Sequence, residues 1–177
     1  MAERVMVAMS GGVDSSVAAV LLQDMGYDTA GGTMRMNGLA AEESALQDAK
    51  AVCERLGLRH FIYDVREKFQ REVISFFAES YIEGLTPNPC VFCNRHVKFP
   101  EFIDGAAGDG YDRIATGHYA RTEYDPSSGR WILKKGVDEE KDQSYFLYGL
   151  TQDMLEKTIF PLGKLTKKQV REIAGET

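Results

Sequence analysis

Residues Met9 to Ser16 read M-S-G-G-V-D-S-S. A short apolar run, Val5-Met6-Val7-Ala8, precedes them, and a helical pattern, Val17-Ala18-Ala19-Val20-Leu21-Leu22, follows. A strand, a glycine turn and a helix N-terminus together make an anion site. Two adjacent glycines let the backbone approach a phosphate, free N–H groups point outward, and the helix dipole favours negative charge. No Gly-Lys-Ser/Thr follows, so this is not a Walker A loop. A carboxylate at Asp14 would repel a bound triphosphate unless it holds Mg²⁺, which prefers oxygen ligands and bridges phosphates. Capping the helix is its simpler role. Ser10, Ser15 and Ser16 add hydroxyls and N–H groups for phosphate oxygens.

A second reactive group is Cys90-Val-Phe-Cys93, directly after Thr86-Pro87-Asn88-Pro89. The two prolines exclude helix and ladder and predict a rigid loop. Three chemistries compete for the cysteines. Zinc would need two more ligands, drawn from Cys53 and three histidines. The pair could be redox-active. Or one thiolate is a nucleophile, its pKa lowered by Arg95, His96 and Lys98. Buried, inert thiols are the plainer alternative. Cys53 reads as core packing, with a share in an iron–sulfur cluster as the lesser option. Thr116-Gly117-His118 ends a predicted strand, where Gly117 admits a nucleotide and His118 either meets phosphate or nucleic acid or is structural. Lys141-Asp142-Gln143-Ser144, taken alone, is an ordinary turn.

Strand and helix signals alternate around these groups. Residues 4–9 predict a strand, 15–25 a helix, 27–34 a strand, 41–56 a helix and 59–65 a strand. Residues 67–82 are strongly helical, with Phe69, Val73, Phe76, Phe77 and Tyr81 near one face. Residues 99–107 predict a helix and 113–120 a strand. A hairpin turn spans 124–129, and 130–135 follow as a strand. Residues 151–158 and 166–174 predict short helices with Thr N-caps. The order predicts an α/β fold: a doubly wound, mainly parallel, Rossmann-like sheet binding ligands at the carboxyl ends of its strands. The expected division is a nucleotide-binding part at 1–122 and a hairpin-plus-helical extension at 123–177.

The bulk properties suit a globular domain: 177 residues, 44% hydrophobic, 27% charged, net charge −6. No apolar run approaches the roughly 20 residues of a membrane span, so no membrane association is expected. The N-terminus lacks a basic-then-apolar leader, and three cysteines fit reduced thiols, so the expected location is the cytoplasm. The net charge argues against a nonspecific nucleic-acid binder but leaves room for a local basic patch. Lys157, Lys164, Lys167, Lys168 and Arg171 form such a run, either a solvated face or a phosphate contact.

Taken together, these residues resemble the bacterial tRNA-specific 2-thiouridylases. The similarity covers nearly the whole chain. It rests on M-S-G-G-V-D-S-S at Met9–Ser16, T-P-N-P-C-V-F-C-N-R at Thr86–Arg95 and V-K-F at Val97–Phe99. It continues with A-T-G-H-Y-A-R at Ala115–Arg121, K-D-Q-S-Y-F-L at Lys141–Leu147 and F-P-L-G at Phe160–Gly163. S-G-G-x-D-S also resembles, more widely, the loop of enzymes that cleave ATP to AMP and pyrophosphate. The resemblance implies that Ala8, Met9, Ser10, Gly11, Gly12, Val13, Asp14 and Ser15 bind ATP, with Mg²⁺ on Asp14. It implies that Met34 contacts adenine through its backbone and that Gly117 lines the site. Cys93 and Asp14 would be catalytic. Asn88, Pro89 and Cys90 would meet the target base, and His118, Lys141, Asp142 and Gln143 would contact tRNA.

The implied chemistry adenylates the 2-carbonyl oxygen of the wobble uridine, and sulfur from a cysteine persulfide then replaces it. The implied partners are tRNA and a persulfide sulfur-donor protein. Cys90 stands where the family often has Asp, which suggests an iron–sulfur cluster on Cys90 and Cys93. The family is longer and carries a second catalytic cysteine beyond this sequence, so the expectation is ATP binding without complete thiolation. Two other readings compete: an ATP-pyrophosphatase ligase or synthetase acting on a small molecule, and a non-catalytic cysteine–metal module that binds RNA.

Overall fold

The computed structural model describes residues 2–176. Met1 and Thr177, the outermost residues of the two expected parts, lie outside the described residues. Five parallel strands form the main sheet: β1 (Arg4–Ala8), β2 (Asp28–Arg35), β3 (His60–Asp64), β4 (Arg113–Ala115) and β7 (Thr158–Ile159), in the order β3-β2-β1-β4-β7. A separate antiparallel hairpin joins β5 (Ala120–Asp125) to β6 (Arg130–Lys135). The expected doubly wound α/β class is what the chain adopts.

β1 is the central strand and is buried on both faces, as its continuous apolar run requires. Its side chains alternate between two cores. Val5 and Val7 pack with Val17, Ala18 and Leu22 of helix α1 (Val13–Asp24) and with Ala49 and Cys53 of α2 (Ala40–Arg55). Met6 packs on the opposite face with Phe99, Phe102 and Ile103. Those three lie on helix α4, which runs through residues 89–108 as three consecutive pieces, Pro89–Cys93, a wide π turn at Asn94–Lys98, and Phe99–Gly108. Helix α3, residues 66–82, also contains a π turn, at Phe69–Ile74, and packs Val73 against Val97. The apolar face expected on α3 is only partly covered: Phe77 and Tyr81 remain exposed.

Four expectations are corrected. The rigid loop expected over Thr86–Pro89 ends at Asn88, and the helix begins at Pro89. Pro89 takes the first helical position, where its missing N–H is harmless, and Asn88 caps the helix by accepting from the Val91 amide at 3.2 Å. Cys90 therefore sits on the first turn of α4 and Cys93 at the start of the second. Helix α1 starts at Val13 rather than Ser15, so Asp14 is inside its first turn and Gly12 is the cap. The strand expected at 113–120 leaves the sheet after Ala115, and Ala120 already belongs to the hairpin. The helix expected at 151–158 stops at Glu156, and Thr158–Ile159 forms β7 because Ile114 and Ala115 of β4 offer a free edge.

The remaining elements are short: α5 (Ser144–Leu147), α6 (Gln152–Glu156), a 3₁₀ turn at Pro161–Lys164 and α7 (Lys167–Glu176). Val170 of α7 packs in the α1 core. Gly163 lies where the 3₁₀ turn crosses the hairpin: a Cβ there would stand 1.8 Å from the carbonyl oxygen of Ala120. Gly163→Ala is expected to lower unfolding stability by at least roughly 1–3 kcal/mol, the range for overpacking. Gly108→Ala, whose Cβ would meet nothing within 4 Å, is the neutral comparison. Urea unfolding of both variants checks this.

Candidate functional site

β1 and β4 are neighbours whose connections run in opposite directions across the sheet, so a crevice opens at their carboxyl ends. The loop after β1 and Thr116-Gly117-His118 after β4 form its walls. Gly11 adopts φ +73, and a Cβ there would stand 2.6 Å from Asp48 Cβ on α2. The turn thus needs glycine both for conformation and for space. Ser15 Oγ locks the loop by donating to the Gly12 carbonyl at 2.9 Å and accepting from the Ser10 amide at 3.2 Å. No side chain caps α1, so its first N–H groups stay available to a ligand.

The cavity in this crevice has a volume of about 390 Å³. Ala8, Met9, Ser10, Asp14, Ser15, Met34 and Gly117 line it. Gly11, Gly12 and Val13 shape the loop from outside, with Gly11 and Val13 facing a different surface hollow. Asp14 does not cap the helix. Its Oδ1 accepts a hydrogen bond from the Tyr119 hydroxyl at 2.9 Å and from Lys167 Nζ at 2.6 Å. Lys167 is anchored in turn by its own amide, which donates to Asp138 at 2.8 Å. Of the basic run 157–171, only Lys167 reaches the phosphate loop. Burial, and next the hydrogen bond to Asp14, raise the Tyr119 phenol well above its ordinary value. The sequence offered Lys167 only within a basic run and Tyr119 only inside A-T-G-H-Y-A-R, and the bonds of both to Asp14 were not foreseen.

A second cavity, of about 610 Å³, is mainly apolar. Pro89, Cys90, Cys93, Phe69, Phe77 and Phe146 line it. The two cavities share a wall made of Met36, Lys98, His118 and Gln143. Gln143 is held by Tyr119 in both directions: its amide donates to the Tyr119 carbonyl at 2.9 Å, and its Oε1 accepts from the Tyr119 amide at 3.0 Å. Asp142 accepts from the Gly136 amide at 2.8 Å and the Ser144 hydroxyl at 2.8 Å, which fixes the turn. Lys141 is exposed on that turn, and Asn88 is occupied as the cap of α4.

Cys90 is exposed and Cys93 is half-buried. The expected acidification of Cys93 by three cations does not occur. Arg95 and His96 face solvent, His96 lying against the Phe92 ring. Burial raises the Cys93 thiol, and the Lys98 charge offsets this in part. Cys53 is fully buried between β2 and α2 in another core and belongs to no cluster with Cys90 and Cys93. Among the described residues, no group of three or more His, Cys, Asp or Glu side chains could hold a metal ion. A zinc site closed by this chain's own residues is therefore excluded among them, and Cys90 and Cys93 could supply at most two ligands to a cluster.

The chain's match to known proteins agrees with this geometry. The family model described as the tRNA methyl transferase HUP domain matches residues 3–177. The tRNA-specific 2-thiouridylase MnmA of Clostridioides difficile is 48% identical over 185 residues, covering 99% of this chain and 51% of that protein. The Treponema denticola protein of the same name is 49% identical over 180 residues, covering 98% and 49%. The chain thus spans about half the length of the curated relatives it matches. Among solved structures, the U34-tRNA thiolase NcsA from Methanococcus maripaludis with its [4Fe-4S] cluster shares the fold, with TM-score 0.63 and 19% identity over 98% of this chain and 56% of that one.

His118 shows how the shared wall is charged. Its Nδ1 pairs with the Thr116 hydroxyl at 2.8 Å, and burial, then the nearby Lys98 charge, lower its pKa to about 3. The unfolded chain would protonate His118 near the ordinary 6.5, so it takes up protons first as pH falls. The neutral imidazole's contribution is therefore complete above about pH 6.5 and declines progressively toward pH 3. Urea midpoints are expected to drop between about pH 7.5 and about pH 5, and to drop less in His118→Asn.

Proposed function

The chain belongs to the tRNA methyl transferase HUP domain family, and on that premise we propose that it is the ATP-binding, base-activating portion of a tRNA-specific 2-thiouridylase. The observation that carries this reading is the shared wall. A phosphate-loop cavity and a cysteine-lined apolar cavity meet at Met36, Lys98, His118 and Gln143. Joining a nucleotide to a base requires two such chambers in contact.

In this reading ATP lies in the first cavity, with its phosphates on the residues from Ser10 to Ser15 and its adenine near Met34. The wobble uridine of tRNA enters the second cavity, whose aromatic walls suit a flipped-out base. The uridine 2-carbonyl oxygen attacks the α-phosphorus. The bond from that phosphorus to the bridging oxygen breaks, and pyrophosphate leaves with the electron pair. A persulfide sulfur, delivered by a donor protein, then attacks C2, AMP departs with the former carbonyl oxygen, and a second thiol attacks the carrier sulfur, breaking the S–S bond to leave the 2-thiocarbonyl and a disulfide. In this reading Cys93, which lines the base cavity beside Cys90, is assigned to that second step.

Asp14 could offer Mg²⁺ its second carboxylate oxygen, because Oδ1 already accepts from Tyr119 and Lys167, with phosphate oxygens and water filling the rest of the shell. Such an ion would neutralise the phosphates when bound. Cys90 and Cys93 fit half of an iron–sulfur site, with the other ligands supplied from elsewhere. Residues 1–122 are the nucleotide-binding part in this proposal. Residues 123–177 supply Gln143 and Lys167 to it and carry the tRNA-contacting segment Lys141–Gln143. The cytoplasm is where the protein would meet its tRNA.

The test is nucleotide product analysis with ATP, Mg²⁺ and unmodified tRNA. AMP and pyrophosphate are expected only when tRNA is present, and Asp14→Ala is expected to reduce their formation at least about tenfold. AMP formed equally without tRNA would replace this reading with a synthetase acting on a small molecule.

A further inference from the structure

Among the described residues, Lys98 is the only lysine or arginine that lines either cavity, and it lines both. The other charged groups of the first cavity are already engaged: Asp14 by Tyr119 and Lys167, and Glu42 by the amides of Met36, Asn37 and Gly38. Lys98 forms no ion pair with a carboxylate among the described residues. Lys98 is half-buried at the mouths of both cavities, and a half-buried ammonium without a carboxylate partner is stabilised when an anion joins it.

The backbone puts Lys98 there by a specific device. It closes the π turn Asn94–Lys98, and a π turn inserts one extra residue into the helix. That insertion rotates the following register by roughly 100°. Phe99 and Phe102 can then fill the core beneath the sheet while Lys98 faces the crevice. The other groups of the shared wall carry no positive charge to compete: His118 is neutral, and Met36 and Gln143 are uncharged.

We propose that Lys98 binds the α-phosphate of the nucleotide and fixes it at the junction of the two cavities. This rests on the reading above, in which a base oxygen attacks that phosphorus. The attacked atom must lie where the two chambers meet, and the cation at that point neutralises the charge that grows on it. Pairing with the Cys93 thiolate is the competing role, and it makes a different prediction.

The experiment compares binding of AMP, ATP and adenosine to wild type, Lys98→Met and Lys98→Arg by calorimetry, alongside iodoacetamide alkylation of Cys93. Lys98→Met is expected to weaken AMP and ATP by tenfold to a hundredfold, on the order of one lost charge-assisted contact, and to leave adenosine unchanged. Lys98→Arg should retain most of the affinity. Equal AMP affinity in wild type and Lys98→Met would overturn the proposal, and slowed Cys93 alkylation in that same case would assign Lys98 to the thiolate. Parallel loss of adenosine binding would reduce Lys98 to a structural role. Should Lys98→Met not fold, reductive ¹³C-methylation of wild type decides, with Lys98→Arg assigning the signal: AMP, and not adenosine, must move the Lys98 resonance. Wild type that binds none of the three would refute the nucleotide reading itself.

Discussion

The parallel pairing of β1 with β4 is the constraint on which the site depends. These strands are adjacent in the sheet and distant in sequence, with Val5 opposite Arg113 and Val7 opposite Ala115. The chain reaches β4 only after β2 and β3 have been laid down on the other side of β1. Two loops that leave in opposite directions cannot close over each other, so the crevice between them is a consequence of topology. Everything chemical then attaches to its rim: the phosphate loop from β1, Gly117 and His118 from β4, and Lys98 from the helix that covers the sheet beneath.

The crevice would be loose without a second tie. Tyr119, just past the end of β4, bonds to Asp14 on one side and exchanges two hydrogen bonds with Gln143 on the other. Lys167 approaches Asp14 from α7, and its amide is fixed by Asp138. Three segments separated by up to 153 positions thus meet at one carboxylate. A charged hydrogen bond in a half-buried setting holds geometry more firmly than the same bond in water. The start of α1 beside the loop is held in place by this network.

The sheet class was legible because β1 reads as an apolar run and the first two helices stop at glycines: Gly26 and Gly57 adopt φ +87 and +68 at the ends of α1 and α2. The glycine turn after β1 was legible because its glycines and serines act locally. The cysteine segment was misread because Pro-x-Pro signals a break, yet a proline at the first position of a helix is an ordinary start. β7 was missed because two residues carry no periodicity, and pairing with β4 alone makes them a strand. Tyr119 and Lys167 were missed for the same reason: their partner, Asp14, is 105 and 153 residues away. The π turn that aims Lys98 also leaves no mark in a pattern built on 3.6 residues per turn.

Charge is where the global and local pictures part. The chain carries a net charge of −6, which disfavours indiscriminate attraction to a polyanion. Its interior crevice is arranged the other way. The two carboxylates nearest the loop are neutralised by internal partners, the histidine is uncharged, and one lysine is left unpaired at the point where the cavities join. Such a distribution draws little from long-range electrostatics and much from short-range contact inside a partly dry cavity, where an anion–lysine pair is screened least. Selectivity then resides in which anion can reach that lysine, and reaching it requires passing the phosphate loop or the cysteine-lined cavity.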